Sequence, residues 1–321
     1  MVEGIRRLSF LWAATAALAL SVLESPAAAQ KKVVATIAQI GEPMREIAGD
    51  RVRVLTLMGE GVDPHLYRLT RSDIAKLRHA DLILYNGLHL EAQMIDMLAR
   101  FAKRKPVVAV GEHVAAQDLL PWDGKIYDAH VWMNPALWAK ALHAGVDAIS
   151  NTDPDNAAFY RQNWRTYAHR LAELDRQTRT AISSIPARSR ALVTAHDAFG
   201  YFGRAYGLQV LAIQGMSTES EAGIRKIKTL VSTLVSHKIG AVFVETSVSD
   251  RNVRALIEGA AARGHRVRIG GALFSDAMGQ KGSYVGTYLG MFDHNVTTIV
   301  RALGGAVPAR GFSGQLAERK N

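Results

Sequence analysis

Short runs of β-branched and aliphatic residues alternate along the chain with stretches whose apolar positions recur at helical spacing. Residues 33–37 (VVATI), 52–58 (VRVLTLM), 81–86 (DLILYN) and 106–110 (PVVAV) predict strands. Helical patterns fall between them over 72–78 and 91–101, with a short one over 44–48. A longer helix is predicted over 135–150, with Asn134 as N-cap and Pro135 in its first turn. A second set follows, with strands over 191–195, 209–213, 241–245 and 267–269 and helices over 199–206, 221–237, 250–263 and 287–303. The strands are nearly continuous apolar runs, as in sheets buried on both faces. The pattern predicts an α/β fold of two lobes, each a mostly parallel sheet flanked by helices.

Between the lobes, Tyr160, Trp164, Tyr167, Leu171, Leu174, Thr178 and Ile182 form one apolar stripe stepping by three or four residues. Asp153 is a plausible N-cap and Pro186 a stop. One long rigid backbone helix, packed along both lobes, is expected over 153–186. The domain reading is therefore 1–29 leader, 30–152 first lobe, 153–186 linking helix and 187–321 second lobe.

The leader has its own logic. Arg6 and Arg7 precede the apolar run 8–20, and Ala27, Ala28 and Ala29 offer a small-residue cleavage site before Gln30. The run spans about 20 Å as a helix, short of a bilayer core of about 30 Å. An exported protein is expected, periplasmic and without a lasting membrane span. The chain has no cysteine, so disulfides, cysteine metal ligands, a cysteine nucleophile and a lipidated N-terminal cysteine are excluded. Hydrophobic residues at 48% and charged residues at 21% describe an ordinary globular chain. The formal charge of +10 suits a basic docking surface or solubility. No nucleic-acid-binding motif accompanies it, so no nucleic-acid partner is expected.

Ligands of open α/β sheets bind beyond the carboxyl ends of strands. Four side chains stand at such strand exits or helix entries: His65 after 52–58, His130 before the helix at Pro135, His196 after 191–195, and Asp276 after 267–269. Three imidazoles and one carboxylate are a donor set for a divalent transition metal. The other histidines (His79, His89, His113, His143, His169, His237, His265 and His294) read as surface residues, with His89 nearest the presumed cleft. Metal-bound imidazoles usually give their second N–H to a carboxylate or carbonyl. Asp63, Asp128, Asp197 and Glu245 are the candidates for that role.

Several linked blocks carry a family resemblance. They are Asp63-Pro64-His65-Leu66-Tyr67 with Ser72-Asp73, the run 80–88 with Leu90-Glu91, 128–135, 194–202, 214–222 (QGMSTESEA), 242–247 (VFVETS) and 273–279. In that order they resemble the cluster A-I metal-binding solute-binding proteins of manganese, zinc and iron ABC importers. The resemblance covers nearly the whole chain after the leader. It implies two α/β lobes with one metal ion held between them by His65, His130, His196 and Asp276. It also implies a membrane permease with a cytoplasmic ATPase as partner, and a monomer that is not an enzyme. His196 resembles the three-histidine branch, where some relatives carry glutamate. Ala272 departs from the pattern, since relatives often have glutamate there.

Manganese is favoured as cargo, zinc close behind and ferrous iron third, because residues 112–129 hold one histidine, His113, rather than a histidine-rich zinc loop. Two other readings stand beside capture and delivery: an exported metal-dependent hydrolase, which no HExxH or GxSxG motif supports, and a metal-dependent adhesin.

Overall fold

The computed structural model describes residues 30–124 and 126–317. The expected leader, residues 1–29, lies outside the described residues.

The first lobe is built on β1 (Lys31–Ala35), β2 (Val52–Thr56), β3 (Leu82–Tyr85) and β4 (Val107–Ala109). All neighbours are parallel and the order is β2-β1-β3-β4. The crossovers carry α1 (Ala38–Ala48), α2 (Arg71–His79) and α3 (Ile95–Ala102). A short antiparallel hairpin, β5 (Pro121–Trp122) with β6 (Ile126–Tyr127), precedes α4 (Pro135–Thr152). The Asn134 side chain accepts from Ala136 N and Leu137 N, which is the cap expected ahead of Pro135.

The second lobe repeats the plan. β7 (Ala191–Thr194) pairs in parallel with β8 (Gln209–Ala212), and β9 (Ala241–Glu245) with β10 (Arg268–Leu273). β7 lies beside β9, so the spatial order β8-β7-β9-β10 matches that of the first lobe.

The linking helix, α5 (Ala157–Ser183), has 27 residues and is about 40 Å long. It follows a 3-10 turn at Pro154–Asn156, so its regular part is slightly shorter than the predicted span. Its stripe is buried as expected, with Trp164 half-buried. It packs on α1 and α4 of the first lobe, and on α6 (Gly200–Tyr206) and α9 (Tyr288–Ala302) of the second. The two remaining helices, α7 (Ile224–Ser236) and α8 (Arg251–Ala261), cover the far side of the second lobe.

The seam between the lobes is part of the core. Trp132, Trp138, Tyr288 and Phe292 are fully buried in one apolar cluster that runs from the first sheet through α5 to α9. Polar bonds cross the same seam. The Trp132 indole N–H donates to Ser275 O at 2.9 Å, and Tyr288 OH donates to Trp132 O at 2.7 Å. Tyr288 N donates to Glu42 Oε2 at 2.9 Å, and burial pushes the Glu42 carboxyl up to about 7. Interfaces of this kind resist bending, because opening them exposes aromatic surface and strands buried polar groups.

Elements depart from the sequence reading where local signals compete. α1 begins at Ala38, not 44, because tertiary packing overrides Gly41 and Pro43. A Cβ at position 41 would sit 2.2 Å from Thr56 Oγ1, so glycine lets α1 lie close on β2. Pro43 lacks the N–H that would bond Gln39 O, and the Trp138 indole donates to that carbonyl instead, at 3.3 Å. The helix expected over 91–101 is a 3-10 turn, Ala92–Met94, followed by α3. β10 runs on to Leu273 through an irregularity between Ile269 and Gly271, which hides its period.

Trp138→Phe keeps an aromatic side chain but loses the indole N–H, leaving the Gln39 carbonyl without that donor, and some buried volume. We expect a loss of about 1–3 kcal/mol in the urea unfolding transition, the cost of one orphaned buried acceptor.

Candidate metal centre

His65, His130, His196 and Asp276 meet at the seam. One donor atom from each lies within 4.8 Å of every other, and all four residues are buried. Each is delivered by a different connection. His65 sits on the irregular stretch between β2 and α2, and His130 on the turn that opens into the 3-10 helix Val131–Met133 and then α4. His196 follows β7 and Asp276 follows β10, so the strand-exit expectation holds in the second lobe.

The donor atoms face inward. His65 Nε2 stands 3.4 Å from His130 Nε2. Asp276 bridges the other two rings, with Oδ1 at 3.2 Å from His130 Nε2 and Oδ2 at 3.1 Å from His196 Nε2. These approaches are not well-formed hydrogen bonds: His196 Nε2 and both Asp276 oxygens are buried without a hydrogen-bond partner. Buried, unpaired polar atoms are costly. Several of them converging on one point fit a cation that satisfies all at once.

The rings are oriented from behind. Asp128 Oδ1 lies 2.7 Å from His130 Nδ1 and accepts from His130 N at 2.9 Å. Glu245 does the same for His196, with Oε2 at 2.5 Å from Nδ1 and Oε1 accepting from the backbone N at 2.9 Å. Each carboxylate fixes the second ring nitrogen, so that Nε2 points into the site. Asp63 plays another part. Its Oδ1 accepts from the backbone N of His65 at 2.9 Å and leaves the ring alone. Asp197 is no ring partner; its carboxylate has no hydrogen bond to an imidazole among the described residues, which corrects that expectation.

Three residues that sequence reasoning missed also shape the site. Gln39 Nε2 donates across the seam to Asp276 O at 2.8 Å, fixing the Asp276 loop. Trp132 packs edge-on against His130, with ring centroids 5.1 Å apart. Thr218 Oγ1 donates to Asp63 Oδ2 at 2.5 Å. Polar residues of helices and loops far apart in sequence carry no period that would announce such roles. Ala272 is exposed on β10 and its carbonyl meets His294 Nε2 at 3.0 Å, so that departure from the family pattern lies outside the site. Of the eight histidines read as surface residues, His265 and His294 are half-buried against backbone carbonyls and the other six are exposed.

Electrostatics divide the three imidazoles. Burial pulls His65 down to about 4, despite the opposing pull of Asp276. Burial also works against a charge on His130, yet Asp128 and Asp276 outweigh it and raise the ring to about 9. His196 is raised well above the usual histidine range for the same reason, with Asp276 and Glu245 overcoming its burial. Asp276 is held well below the carboxylate range, because the two rings outweigh its own burial. In the metal-free centre these shifts favour charge on His130 and His196 and a neutral His65.

Comparisons with known proteins place the chain among metal-binding relatives. Residues 33–302 match the model of a family described as the periplasmic zinc-uptake complex component A. The chain is 46% identical over 275 residues to the manganese-binding lipoprotein MntA of Bacillus subtilis, covering 85% of this chain and 90% of that protein. It is 44% identical over 271 residues to the zinc-binding protein TroA of Treponema pallidum, covering 84% and 88% respectively. The solved structure of that periplasmic zinc-binding protein superposes with a TM-score of 0.84 at 43% identity, over 85% of this chain and 99% of the other.

A divalent ion needs neutral imidazoles, so binding must expel the protons of His130 and His196. We expect about two protons released per ion at pH 7, read from the buffer dependence of the calorimetric enthalpy. Groups with raised values stay protonated until the pH passes them, so affinity should climb with pH up to about 9 rather than level off near 6.5. Glu245→Gln should weaken binding roughly 10–100-fold, measured by competition with a chelator.

Proposed function

The chain belongs to the family of periplasmic zinc-uptake complex component A proteins, and from that premise we propose that it captures one divalent transition-metal ion between its lobes through His65, His130, His196 and Asp276 and presents it to an ABC permease. The observation that carries this reading is the convergence of four buried donors, two from each lobe, with unpaired atoms facing one another. Four protein ligands leave little room for a reacting substrate, whereas a catalytic zinc usually keeps an open position. Capture followed by release fits that geometry better than hydrolysis.

Manganese is the favoured cargo and zinc the second. Relatives named for manganese and for zinc lie at comparable identity, so kinship does not separate the two metals. The donor chemistry leaves a lean. Both Asp276 oxygens face the rings, and a carboxylate binding through both would give five donors, which suits manganese better than the four-coordinate preference of zinc. Tightness in vitro will still favour zinc, as the Irving–Williams order requires. The cells that make this protein therefore decide the cargo by which metal they lose without it.

We place the protein in the periplasm as a monomer. MntA of Bacillus subtilis is named a lipoprotein, whereas this chain contains no cysteine. Among the described residues no helix is long and apolar enough to cross a membrane.

Calorimetry with Mn²⁺ and with Zn²⁺ should find one ion per chain. His196→Ala, His130→Ala and Asp276→Ala should each weaken binding by more than the ~100-fold expected for losing a ring's supporting partner. Unchanged affinity in any of the three would remove that residue from the ligand set.

A further inference from the structure

Three of the four donors are held by their own lobe or by rigid structure. Asp128 and Glu245 fix the rings of His130 and His196 from within the same lobe as each histidine. Asp276 lies just beyond β10 and is tied by Gln39 at the seam. His65 differs. It sits on the irregular connection between β2 and α2, and among the described residues no carboxylate bonds its Nδ1. Its hold is the Asp63 carboxylate, which accepts from the His65 backbone N with one oxygen and from Thr218 Oγ1 with the other.

Thr218 belongs to the opposite lobe. It lies in the irregular segment between β8 and α7, where buried Met216 packs into the main core and Gln214 Nε2 donates to Ser220 O at 3.2 Å. The segment reaches over the cleft a second time, where Gln93 Nε2 donates to Glu219 Oε1 at 2.7 Å on an exposed surface. Of these two bridges, the Thr218 bond leads onward to a metal-facing residue.

We infer that the Thr218 hydroxyl is a latch across the cleft that, through Asp63, holds His65 over the captured ion and sets how fast the ion leaves. This rests on reading His65 as a ligand. A hydrogen bond to an ionised carboxylate is among the stronger neutral-donor bonds, and it joins the two lobes at the one ligand lacking a carboxylate behind its ring. Breaking it frees the connection that carries His65 while leaving the other three donors in place. The ion then loses one of four ligands more often, and release speeds up. Thr218 is a positioning residue, since it touches neither the ion nor the imidazole.

The test is stopped-flow transfer of Zn²⁺ from the loaded full-length protein to excess chelator. Thr218→Val, which keeps the shape and loses the hydroxyl, should release zinc about tenfold faster. Thr218→Ser restores the hydroxyl and should restore the slow rate. Gln93→Ala removes the neighbouring bridge and should alter release less than about twofold, as expected for an exposed polar contact. Asp63→Ala should release at least as fast as Thr218→Val, and adding Thr218→Val to it should change nothing further. Release from Thr218→Val at the wild-type rate overturns the latch while metal capture stands. Equal acceleration by Gln93→Ala overturns it too, because simple closure of the segment would then be the cause. A wild-type protein that takes up no zinc overturns both this inference and the reading beneath it.

Discussion

Lone pairs that face one another in a buried volume repel unless something positive lies among them. Here the inward atoms are three imidazole nitrogens and two carboxylate oxygens, drawn from four loops of two lobes. In the metal-free centre, the carboxylates around His130 and His196 favour a proton on each ring, and the rings in turn favour an ionised Asp276. A dication replaces those protons. Metal and proton compete for the same nitrogens, and the supporting carboxylates Asp128 and Glu245 sharpen that competition by stabilising either charge.

That exchange needs a frame that holds still while charge changes inside it. The seam provides one. Indole and phenol groups of Trp132, Trp138 and Tyr288 are buried there, and each spends its polar atom on a backbone carbonyl. Gln39 does likewise for the Asp276 loop. α5 lies along both lobes and adds stiffness that a loop linker would lack. The structure thus suits small local adjustments around the ion better than wide rotation of the lobes, and the His65 connection is where such an adjustment costs least.

Much of this was legible in the sequence. Most strands of the two lobes announced themselves by apolar runs, with β10 legible only in part, and the α5 stripe by its spacing, because burial on both faces or on one face leaves a pattern. The four metal-facing residues were legible through the family resemblance, with strand exits pointing to His196 and Asp276 and the N-cap before Pro135 to the His130 turn. Asp128 was legible from its distance of two residues to His130. What stayed hidden depends on contacts with no sequence period. α1 was read short because Gly41 and Pro43 are breakers locally, although Thr56 and Trp138 accommodate both. Asp197 and Glu245 were both candidates for the His196 ring, and β9 lying beside β7 brings Glu245 to it. Gln39 and Thr218 act across the seam, where only the folded chain reveals them.

Anomalous diffraction from crystals grown with manganese tests the central claim most directly. The account predicts one strong peak between the lobes, within coordination distance of a nitrogen of each of His65, His130 and His196 and of one or both Asp276 oxygens. A peak bound by residues of one lobe alone, or none at the seam despite stoichiometric uptake in solution, would contradict it.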